Sequence, residues 1–146
     1  MFTFATDYFI LVFVATIGVI QFSASTSGLN GLLFFKSHFV SRFLGLALVV
    51  IAFIWFFSVE ERNINDYEGG LDAPTQAFFF FLGAISGGSL TFLLSSLFNS
   101  NMKRKERQPE SGLEALRETN YIRAVYSSIK YWRREWRTQT KKYFFG

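Results

Sequence analysis

Cysteine is absent from this 146-residue chain, and histidine occurs once. The first absence excludes disulfides, thiolate metal sites, iron–sulfur clusters and thiol nucleophiles together. The second excludes a metal centre built only from imidazoles of this chain. No nucleophile–base spacing, paired catalytic carboxylates or glycine-rich phosphate loop occurs either, so the chain is expected not to be an enzyme. The scarcity that organises the rest is one of charge. No Asp, Glu, Lys or Arg lies between Asp7 and Lys36, between Arg42 and Glu60, or between Asp72 and Lys103.

Those gaps are filled with apolar bulk. Half of the residues are hydrophobic and 20 are Phe, well above ordinary globular usage. A helix needs roughly 20 apolar residues to cross a hydrocarbon core of ~30 Å. The three runs predict spans at about 8–25, 43–59 and 74–98. The second is the shortest, about 26 Å at a rise of ~1.5 Å per residue. Arg42 lengthens it by snorkelling its guanidinium to the interface. The residues before the first run carry only Asp7 and lack the positive n-region of a signal peptide, so that run is expected to be a retained span.

The expected fold class is therefore an all-α membrane protein. Residues 1–102 hold three transmembrane helices, and residues 103–146 form a basic tail with an amphipathic helix over about 112–140. Ser111 and Glu114 have capping-box spacing ahead of that helix. Ile122, Val125, Ile129, Trp132 and Trp136 recur three and four apart, which makes a single apolar seam. Lys130, Arg134, Arg137 and Lys141 fall on a separate basic stripe. Lys103, Arg104 and Lys105 follow the third span directly. Together with Lys130, Arg134 and Arg137 they are the cations expected to face headgroups.

The charges are also sorted by sign. Of 15 Lys and Arg residues, Lys36, Arg42 and the 12 of the tail share one side, and Arg62 stands alone on the other with Asp7, Glu60, Glu61, Asp66, Glu68 and Asp72. The positive-inside rule predicts an outward amino terminus and a tail on the cytoplasmic side. The membrane is then a bacterial cytoplasmic membrane, or an organellar inner membrane with the corresponding side.

Four small residues of the third span, Gly83, Gly87, Thr91 and Ser95, are each four apart and form one stripe along the helix. Such a stripe lets backbones approach where lipid offers no hydrophobic drive. It serves either packing on the chain's own first or second helix, or docking to another subunit or copy; the sequence leaves both open. It also leaves open whether residues 28–35 lie along the interface or prolong a tilted first helix. Gln21 and the serine-rich run after it are expected to mark the approach to the headgroups. No ionisable group is expected inside a span, which argues against a transporter acting alone. His38, beside Lys36 and Arg42, is read first as an interfacial polar residue and only second as an axial metal ligand. Asp66, Glu68 and Asp72 make a solvated acidic turn in preference to a calcium site.

The plan of three helices, outward amino terminus and basic tail resembles that of class I phage holins, in topology and not in motifs. The leading expectation is a non-catalytic accessory subunit of a larger membrane complex. A self-assembling holin-like pore and an anchor recruiting a soluble protein are the alternatives. Expected partners are membrane lipids with anionic headgroups, and other membrane subunits or further copies of the chain. Nucleic acid is not expected. No cofactor is predicted, although the spans leave room for bound lipid or pigment.

Overall fold

The computed structural model describes residues 4–58, 72–100 and 112–144, without the side chains of 134, 135 and 137–144. Its elements are α1 (Phe4–Ser27), α2 (His38–Phe57), α3 (Ala73–Phe98), the short α4 (Ala115–Glu118) and α5 (Tyr121–Phe144). Single 3-10 turns occupy Asn30–Leu32 and Gly112–Glu114, and no strand occurs among the described residues. Three helices, α1 to α3, are long and apolar enough to cross a membrane.

Charge alone set two helix starts too late. α1 opens at Phe4 and takes Asp7 into its first turn, where the side chain is buried. A carboxylate there faces the partial positive charge of the unpaired N–H groups, so the helix gains by including it. Asp7 and, in α2, Arg42 therefore lie within their helices and not at the edges. α2 opens at His38, ahead of Arg42, and Ser37 caps it by accepting from the Val40 N–H at 3.5 Å. The start of α3 was legible: Asp72 precedes it and Pro74 sits in its first turn, where a missing N–H is harmless.

The tail departs from the single helix expected over 112–140. After α4 the chain turns extended at Thr119 (φ −134°, ψ 160°) before α5 begins. Asn120 restarts it: its Oδ1 accepts from the Arg123 N–H at 3.0 Å, satisfying a donor that the first turn leaves orphaned. Glu114 pairs with Arg117 at 2.9 Å, an exposed contact of little energetic weight. Ser111, the acidic loop with Asp66 and Glu68, and Lys103, Arg104 and Lys105 lie outside the described residues.

α1 is the centre of the bundle, and α2 and α3 each pack along it rather than along one another. Gly18 and Gly45 mark the crossing of α1 and α2. A Cβ on Gly18 would lie 2.7 Å from the Gly45 carbonyl oxygen, and one on Gly45 would lie 2.6 Å from that of Gly18. Along α3, a Cβ on Gly83 or Gly87 would lie 3.0 or 2.7 Å from the carbonyl oxygens of Phe9 and Phe13. Close backbone approach supplies the van der Waals contact that holds helices together in lipid. Between α2 and α3 an apolar cleft of about 660 Å³ remains, floored by α1 through Leu11, Val12 and Thr16. Val49 and Phe53 of α2 and Phe80 of α3 form its walls.

Candidate functional site

Three polar side chains, Gln21, Ser41 and Asn99, meet at one end of the bundle around the connection from α1 to α2. α1 stops because Gly28 adopts a positive φ of 70°, a conformation that costs glycine nothing. The Leu29 N–H then donates to the Ala24 carbonyl at 2.9 Å, closing the helix as a Schellman motif does. The connection does not prolong α1. It turns inward, and Leu32 and Leu33 are buried with Ala24, Ala115, Leu116 and Ala124.

Backbone groups taken inside in this way need partners, and each span supplies one polar side chain. From α1, Gln21 Nε2 donates to the Leu32 carbonyl at 2.9 Å while its Oε1 accepts from the Phe34 N–H at 3.0 Å. From the end of α3, Asn99 Nδ2 donates to the carbonyls of Leu33 at 2.7 Å and Ser95 at 2.9 Å. From α2, Ser41 Oγ donates to the Phe35 carbonyl at 3.1 Å. Gln21 is 0% exposed, so it serves as an internal clamp.

The root of the tail closes over this connection. A Cβ on Gly31 would collide with the Thr119 carbonyl oxygen, so glycine lets the α4–α5 turn rest on the backbone. Asn30 Nδ2 donates to the Arg117 carbonyl at 3.2 Å. Ser96 of α3 holds the root of α5 at two points. Asn120 Nδ2 donates to the Ser96 carbonyl at 3.4 Å, and Ser96 Oγ accepts from the Ile122 N–H at 3.1 Å. The rings of Phe92 and Tyr121 stack with centroids 4.4 Å apart at 11°. The first turn of α5 is thus part of the bundle end.

Gly83, Gly87, Thr91 and Ser95 are all buried. α1 covers the glycines, and the hydroxyls turn back on α3: Thr91 donates to the Gly87 carbonyl at 2.8 Å and Ser95 to that of Phe92 at 3.1 Å. Docking of another subunit or copy along this stripe has no open face, because the chain's own first helix occupies it. The tail seam has the opposite fate. Ile122, Val125, Ile129, Trp132 and Trp136 are exposed, the two tryptophans by 63% and 70%.

Lys130 is exposed, whereas Arg134 and Arg137 lie within α5 with side chains outside the description. His38 is exposed as the first residue of α2. Among the described residues no three His, Cys, Asp or Glu side chains gather as a metal site.

Sequence reasoning missed the Gln21–Ser41–Asn99 clamp, the Ser96–Asn120 pair and the Gly18–Gly45 crossing. Amides within and beside apolar runs were the available signal for the first two. The third offered one glycine per helix and no stripe. Compared with known proteins, the chain matches no family model, no curated protein and no solved structure.

Proposed function

We propose that the chain is a non-catalytic, multi-pass subunit of a larger membrane assembly, oriented with its basic end toward the cytoplasm. The charge asymmetry supports the orientation. The observation that carries the subunit reading is the incomplete closure of the bundle. α2 and α3 share only α1, and the cleft between them is walled by Val49, Phe53, Phe56, Phe57 and Phe80. Concave, largely apolar sites between helices are where bundles receive a further component. A pore made of copies meeting along Gly83 and Gly87 would first have to displace α1, which places that reading behind.

Purification in mild detergent tests the proposal. The expected result is a stoichiometric membrane protein eluting with the chain. Ala15→Phe, which fills the floor of the cleft, should release that protein while the chain itself stays folded. Recovery as a lone monomer from native membranes would overturn the reading.

A further inference from the structure

We propose that α5 is an interfacial helix whose seam sinks into the headgroup boundary of an anionic leaflet, with its cations set against lipid phosphates. The depth of its root carries the first half. Tyr121 stacks on Phe92, six residues before the end of α3 at Phe98 and hence about 9 Å inside it at ~1.5 Å per residue. Ala124 packs with Ala24, which lies three residues before the end of α1. Amphipathic helices on membranes seat their apolar face at about this level, ~5–10 Å below the headgroups. α5 therefore leaves the bundle at the acyl boundary, with Ile122, Val125, Ile129, Trp132 and Trp136 exposed.

Charge carries the second half. Tyr121–Phe144 holds seven Lys or Arg residues against Glu135 alone. At ~100° of rotation per residue, Arg123 and Lys130 lie about a third of a turn or more from the seam. Both are exposed. Arg133 borders the seam, lining a shallow recess with Ile129, Trp132 and Trp136. Tryptophan at the acyl boundary and guanidinium at the phosphates is the arrangement that a membrane surface favours. A protein groove would have to be apolar along its floor, acidic along its rim and open below headgroup level. An anionic leaflet meets all three requirements at once.

The test uses the purified full chain carrying Trp55→Phe, which leaves Trp132 and Trp136 as the only indoles. It is reconstituted in vesicles of phosphatidylcholine, or of phosphatidylcholine and phosphatidylglycerol in equal parts, with acyl chains brominated near the headgroup as quencher. Quenching should be about twofold greater in the mixed vesicles. The difference should fade as salt approaches ~1 M and the Debye length falls to ~3 Å. Lys130→Gln with Arg133→Gln, which leaves five of the seven cations, should narrow the same difference while the helical circular dichroism is unchanged.

Tryptophans that stay open to aqueous acrylamide and unquenched by lipid in both vesicles would overturn the proposal and leave the seam to a protein. Equal quenching in both would overturn the role of the cations. The proposal rests on the basic end lying at an anionic leaflet. Symmetric vesicles present the same lipid on both faces and contain no other protein, so its failure is separable from failure of the subunit reading.

Discussion

Two one-sided helix faces carry opposite roles in this molecule. The stripe on α3 is made of small residues, and the seam on α5 is made of large ones. Gly83 and Gly87 admit the α1 backbone to within contact, and Thr91 and Ser95 bond to their own helix. That face is finished by the chain itself. The seam presents Trp132 and Trp136 to the surroundings, and the first turn of α5 is tied to the bundle. Within a bilayer, smallness and satisfied hydroxyls favour a helix neighbour. Aromatic bulk beside cations suits the boundary with water.

The largest expected break in this contrast comes from Gly87→Leu. Its Cβ alone would sit 2.7 Å from the Phe13 carbonyl oxygen, and neither backbone has room to give. A loss of about 3 kcal/mol is expected, read as earlier unfolding when the detergent-solubilised protein is titrated with dodecyl sulfate. Gln21→Leu keeps the volume but strands the Leu32 carbonyl and the Phe34 N–H in the interior. It should cost about 2 kcal/mol by the same assay.

Asn120→Ala removes the cap of α5 and its bond to Ser96 together. About 1 kcal/mol should go, and the same variant should let trypsin cut faster at Arg123 as the root frays. The smallest effect belongs to the seam. Trp132→Ala combined with Trp136→Ala should shift the dodecyl sulfate midpoint by no more than ~0.5 kcal/mol equivalent, since both rings are largely exposed. A tolerated Gly87→Leu beside a destabilising tryptophan pair would invert the contrast.

The three spans were legible because lipid demands long charge-free runs and little else competes with that signal. Their ends were less so. Asp7 and Arg42 looked like boundaries, yet each lies within a helix, since a terminal carboxylate suits the dipole and a guanidinium can reach out of the core. The break at Thr119 was masked by apolar periodicity that continues on both sides of it. Asn120 was its only local sign.

The clamp was not legible at all. Gln21, Ser41 and Asn99 meet a connection whose path follows from tertiary packing, and no spacing in the sequence encodes that meeting. The stripe was visible as a stripe, but what covers it depended on where α1 lies.

The tail is rooted in its own bundle, and its seam faces the surroundings. The absence of native cysteine makes a direct test clean. Asn30→Cys and Arg117→Cys are placed in one chain, where the Asn30 side chain now reaches the Arg117 carbonyl at 3.2 Å. A short bifunctional thiol reagent is then applied in native membranes. Rapid cross-linking within the chain is expected, at monomer mass on a denaturing gel. No cross-link, or one found only between two copies, would contradict it.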